Sequence, residues 1–105
     1  MGNLNHEKIM EQIDRLREQV ICEFAGISID MNYKLCIPAV HAKYQSEEMI
    51  VDFSGGIRER SGHFPEDKEK LVVKWVNVHK EEILKNHLRI GTMHELPLMI
   101  EPLQP

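Results

Sequence analysis

In Val40-His41-Ala42-Lys43-Tyr44-Gln45-Ser46-Glu47-Glu48-Met49-Ile50-Val51-Asp52-Phe53, apolar and polar side chains alternate on both sides of a polar break. A period of two marks a strand with one buried face, because successive side chains leave a strand on opposite sides. Val40, Ala42 and Tyr44 share one face, with His41 and Lys43 on the other. After the break, Met49, Val51 and Phe53 face one way and Ile50 and Asp52 the other. Gln45-Ser46-Glu47-Glu48 reads as a polar turn. Ser54-Gly55-Gly56 supplies another, since glycine takes positive φ at no steric cost, and a short strand over Ile57–Arg60 is closed by Ser61-Gly62. Upstream, Ile27, Ile29 and Met31 alternate with Ser28 and Asp30, and Gly26 offers a bend or bulge before them. These segments predict a small antiparallel β-meander of three to four strands.

The period then changes. Val72, Trp75, Val76, His79 and Ile83 recur at helical spacing, widened by Leu71 and Leu84, and predict one long C-terminal helix. Pro65 suits its first position, where no N–H is needed, and Glu66 and Asp67 complement the positive end of its dipole. At the other end Ile9, Ile13, Leu16 and Val20 follow Asn3 or Asn5 as caps and predict an N-terminal helix with one apolar edge. The tail Met93–Pro105 is apolar and broken by Pro97 and Pro102, so it allows at most an edge strand. Met31, Met49 and Met99 read as core filler. The expected architecture is α+β. Residues 1–105 make a single domain, residues 3–20 a helical extension and residues 24–103 the core.

With 105 residues, 42% of them hydrophobic and 29% charged, the chain has the composition of an ordinary soluble globular protein. No apolar run approaches the roughly 20 residues that span a bilayer, and the first residues lack the basic and apolar regions of a secretion signal. A cytoplasmic protein without a membrane partner is expected. Cys22 and Cys36 are far apart in sequence and read as small, reduced, buried or half-buried residues. The net charge of −4 argues against generic nucleic-acid binding, which needs cations to neutralise phosphates. It suits docking on a basic protein surface.

The segment Leu35-Cys36-Ile37-Pro38-Ala39-Val40-His41-Ala42, the block Pro65–His87 and the terminal Ile100-Glu101-Pro102-Leu103 together resemble a family of small bacterial proteins, the domain-of-unknown-function family 4160. Members carry His-Asn-Pro-Pro-His-x-His-Ala, an acidic hairpin, Trp-x-x-x-His-x-x-Glu-Leu-Leu and a tail ending Ile-Glu-Pro-Leu. This chain keeps Pro38, His41, Ala42, Pro65, Trp75, His79, Glu82, Ile83-Leu84 and the tail. It has Leu35 and Ala39 where the family's first two histidines stand, and Ile37 for one proline. The resemblance covers roughly Phe24 to Leu103 and brings no settled activity with it. Because relatives often stand in gene pairs that look like toxin–antitoxin modules, it implies a protein partner.

Among the six histidines, His41 occupies the family's last motif position, on the face away from the core and beside Lys43. If Arg58 and Arg60 share that face, the four side chains form a basic strip able to grip phosphates, with His41 as the acid or base of RNA cleavage. The bland reading is a solvated sheet face, with Asp52 and Glu59 pairing those cations. His79 reads as a hydrogen-bonded core histidine, with Glu82 placed to hold one ring nitrogen. Leucine and alanine neither ligate a metal nor move a proton, so Leu35 and Ala39 weigh against an enzyme.

The first expectation is therefore a non-enzymatic protein-interaction module of bacterial or mobile-element origin, one partner of a toxin–antitoxin-like pair. Its surfaces would be the helix edge Ile9, Ile13 and Leu16, the loop Leu35-Cys36-Ile37 and the apolar tail, with a homodimer through the helix edge as one outcome. A phage-type, anti-CRISPR-like inhibitor of a nucleic-acid-binding enzyme is a specific version. The alternative is a toxin-like, metal-independent ribonuclease using His41 with Lys43, Arg58 or Arg60. A third reading, metal binding through His41, Cys36 and His79, supplies too few ligands for a tetrahedral shell. No cofactor is expected.

Overall fold

A computed structural model describes residues 19–31 and 37–103. Within them lie five strands, β1 Gln19–Phe24, β2 Ile27–Met31, β3 Ala39–Tyr44, β4 Glu47–Asp52 and β5 Ile57–Ser61, then two helices, α1 Glu66–Val78 and α2 Lys80–Gly91. The strands form one antiparallel sheet in sequence order, β1-β2-β3-β4-β5. The α+β meander stands, with more strands than expected and two helices in place of one.

The N-terminal expectation changes at its end. Residues 3–18, with Ile9, Ile13 and Leu16, lie outside the described residues, while Gln19 and Val20 belong to β1 rather than to a helix. Two facts conceal this strand in the sequence. Val20 completes a helical spacing with Leu16, and a bulge leaves Ile21 unpaired between Val20↔Asp30 and Cys22↔Ile29. Ile21 and Cys22 are therefore both buried, which erases the alternation. Ala25 and Gly26, at φ 52° and 77°, make the two-residue hairpin turn into β2.

The β3–β4 turn is shorter than expected. Gln45 takes φ 54°, and Glu47 and Glu48 already pair with Tyr44 and Lys43. Strand β4 stops at Asp52, so Phe53 does not continue the core row: its N–H donates to the Pro38 carbonyl at 2.9 Å and its ring is exposed.

Pro65 sits just before α1 as its N-cap, at φ −58° and ψ 135°, and its carbonyl accepts the Glu69 N–H at 2.8 Å. The expected single helix is interrupted at His79, which adopts φ −113° and ψ 29°, in the sparsely populated bridge region. Its N–H is shared between the carbonyls of Trp75 (3.1 Å) and Val76 (3.2 Å), and its own carbonyl takes the Ile83 N–H. The hydrogen-bond ladder thus crosses one distorted residue, next to β-branched Val76 and Val78, which resist helical side-chain crowding.

Val72, Trp75 and Val76 of α1 and Ile83 of α2 close over Ile27, Ile29, Val40, Ala42, Met49 and Val51 of the sheet. Leu84 and Met99, expected in or beside this core, are exposed instead. The tail is not a strand. It is tied by Asn86, which accepts the Leu98 N–H (2.8 Å) and donates to the Leu98 carbonyl (2.9 Å), as a neighbouring strand would. Ile100 then donates to the Ile21 carbonyl on β1 at 2.9 Å. Among the described residues, no helix is long and apolar enough to cross a membrane.

Candidate functional site

The sheet face turned away from the helices carries the polar rows. Register places Glu23 of β1 beside Ser28, Asp30 beside His41, Lys43 beside Glu48, and Ile50 between His41 and Glu59. This face holds the expected His41 and Lys43 together.

His41 lies between two carboxylates. Its Nδ1 is 3.1 Å from Asp30 Oδ2, and its Nε2 is 3.4 Å from Glu48 Oε1. The Asp30 hydrogen bond raises the imidazole above the ordinary histidine range. Burial opposes it, the charges of Asp30 and Glu48 reinforce it, and Lys43 opposes it weakly. Glu48 Oε1 is also 4.0 Å from Lys43 Nζ. The Asp30 side chain is buried, only 4% exposed, and its Oδ1 has no hydrogen-bond partner among the described residues.

The arginines do not join this cluster as a basic strip. A bulge on β5 leaves Arg58 unpaired between Ile50↔Glu59 and Val51↔Ile57. Spacing by two therefore no longer places Arg58 and Arg60 on one face. Arg60 stands opposite Met49, in the core-facing row, and its guanidinium reaches Glu69 of α1 at 2.7 Å. Arg58 Nε donates to Asp52 Oδ2 at 2.9 Å. Asp52 also accepts from the Ser54 hydroxyl and from the N–H groups of Ser54 and Gly56. The Ser54 hydroxyl, with these other donors, holds its carboxyl down to about 2 against the effect of burial. The pairing of Asp52 with a strip cation is thus the bland expectation realised.

Of the other expected positions, Leu35 and Cys36 lie outside the described residues, and Ile37 is at the surface. His79 sits against Trp75, ring centroids 5.2 Å apart, with Nδ1 3.0 Å from Glu82 Oε1. It belongs to the helical layer, whereas His41 is on the outer face of the sheet. Burial pushes the Cys22 thiol up, away from reactive thiolate. Among the described residues, no three His, Cys, Asp or Glu side chains are arranged to hold a metal ion.

Asp30 and Glu48 are the site residues the sequence reading missed. Asp30 was visible only as the polar member of an alternating strand, and its meeting with His41 depends on cross-strand register. Glu48 reads in the sequence as part of a polar turn, which hides its place opposite Lys43.

The model of the family described as Domain of unknown function (DUF4160) matches residues 26–87, more than half of the chain. The chain belongs to this family. The match includes β2–β5, α1 and most of α2, with the whole Asp30–His41–Glu48 cluster, and leaves out β1 and the tail. No curated protein and no solved structure matches the chain.

Proposed function

We propose that this DUF4160 member is a non-enzymatic protein-interaction module that docks through the outer face of its sheet on a basic surface of a partner protein. One observation carries the reading: each cation expected to grip phosphate is already engaged by a carboxylate. Asp52 holds Arg58, Glu69 holds Arg60, Glu48 lies beside Lys43, and Asp30 and Glu48 flank His41. Glu23 and Glu59 add further negative charge to the same face, and both are exposed. A phosphate backbone is repelled by such a surface, whereas lysine and arginine side chains are attracted to it. Membership of a toxin–antitoxin-like pair fits this chemistry. So does a phage-type inhibitor that covers the basic groove of a nucleic-acid-binding enzyme, because such a groove is built to receive negative charge.

The test is binding of the purified chain to arginine-rich and glutamate-rich peptides and to RNA of mixed sequence. Retention of the arginine-rich peptide alone, lost in the Glu48→Lys, Glu59→Lys double variant, supports the reading. Equal retention of all three ligands, or of none, refutes it.

A second reading, a metal-independent ribonuclease, draws on the Asp30–His41 pair, in which the carboxylate orients the imidazole as a general base requires. RNA shortened by the wild-type chain and left intact by His41→Ala would establish that activity in place of the first.

A further inference from the structure

The Asp30–His41–Glu48 cluster has more acceptors than donors. An imidazolium offers two N–H groups and two carboxylates offer four oxygens. Asp30 Oδ2 takes one N–H, Glu48 Oε1 faces the other, and the buried Asp30 Oδ1 is left without a partner among the described residues. The two ends differ in access. Asp30 is sealed at 4% side-chain exposure, while Glu48 is 49% exposed and His41 21%. An incoming cation reaches Glu48 first, at the oxygen that His41 Nε2 faces. Lys43 Nζ, 4.0 Å away, is at the limit of an ion pair and beyond hydrogen-bond reach, and does not seal it.

Resting on the docking reading above, we propose that Glu48 is the point at which the sheet receives a lysine or arginine side chain of the partner protein, and that this cation displaces the His41 proton. Two carboxylates around one imidazole favour positive charge close by. Protonated His41 supplies it in the free protein, and the partner's side chain on Glu48 supplies it in the complex. With the proton gone, His41 keeps Nδ1–H on Asp30 and turns a bare Nε2 lone pair towards Glu48, which leaves that carboxylate free for the newcomer. The charged groups facing His41 are Asp30 from β2, Lys43 from its own strand and Glu48 from β4, with Glu59 one strand further across Ile50. Of these, only His41 is a group whose ordinary titration falls between about pH 5 and about pH 8.

Docking is then proton-linked with a fixed sign. It strengthens as pH rises through the His41 titration, because protonated His41 competes for Glu48 and neutral His41 does not. The experiment measures the full chain binding an N-acetylated deca-arginine peptide, whose own charge is constant over this range, from about pH 5 to about pH 8. Affinity should rise about two- to five-fold, the span of one exposed ion pair. His41→Gln should bind at every pH without that rise, and Glu48→Gln should bind weakly with no rise. Nitrogen NMR of His41 should show its titration moving to lower pH when the peptide is added. Failure to bind at any pH overturns the docking reading and this inference together. Binding with an unchanged His41 titration, or with a rise that persists in His41→Gln, overturns this inference and leaves docking standing.

Discussion

The indole N–H of Trp75 donates to the backbone carbonyl of Glu101 at 2.8 Å, so the largest buried side chain of the core also holds the tail. Trp75→Phe keeps most of the buried ring and removes this bond, at a cost of about 1 kcal/mol. Trp75→Ala empties the centre of the core and costs about 3–5 kcal/mol. Denaturant unfolding measures both. Limited proteolysis should cut Trp75→Phe faster than wild type in the tail but not in the strands.

Asn86 should behave as a structural strut for the same segment. It is buried and makes both of its bonds with Leu98, so Asn86→Ala leaves two backbone groups to find water. The expected loss is about 1–3 kcal/mol. Hydrogen exchange should localise it to the Leu98 and Ile100 amides, ahead of any change in β3 or β4.

His41 ties stability to pH with a definite sign. Its folded-state titration is raised above the ordinary value, chiefly by Asp30, so its contribution is fully present below the unfolded-state value of about 6.5. That contribution is lost as pH rises through the raised value. Chemical unfolding across this window should show wild-type stability declining with pH, and His41→Gln should flatten the decline.

Asp52 works at the other end of the scale. Its carboxyl is held down to about 2, below an ordinary value of 3.8, so its stabilisation is present above about pH 4 and fades as pH falls through about 2. Acid titration followed by circular dichroism should show Asp52→Asn weaker than wild type near neutrality and less sensitive to acid over that interval.

Gly62 has φ +65°, and a Cβ there would run into the Glu47 carboxylate. The carboxylate is the far end of a flexible chain and can swing away, so the backbone conformation sets the penalty. Gly62→Ala should cost about 1 kcal/mol or slightly more. Gly62→Asn, a residue that tolerates this conformation better, should cost less.

Strong alternation made β2, β3 and the body of β4 legible, and helical spacing marked α1 and α2 as one apolar stripe. Three departures lie where geometry breaks a simple period. The bulge at Ile21 disguised β1, the bulge at Arg58 undid the face assignment of Arg60, and one bridge-region residue divided the helix. His41 and Lys43 were legible as outer-face residues because their strand is regular. Asp30 and Glu48 were not, since cross-strand neighbours depend on register, and register is settled by turns and packing more than by the strand's own residues.

The bond from Ile100 to Ile21 joins two segments that both lie outside the span the family model matches, residues 26–87. Phe24 of one segment stacks on Trp75 with centroids 6.3 Å apart, and Glu101 of the other caps the same indole. The two flanking segments thus form a collar fastened around a single tryptophan of the matched span. Trimming either end opens the collar for both. A minimal version of this protein sought by shortening one terminus at a time would therefore overestimate what the core needs, and only paired deletions would reveal whether the matched span stands by itself.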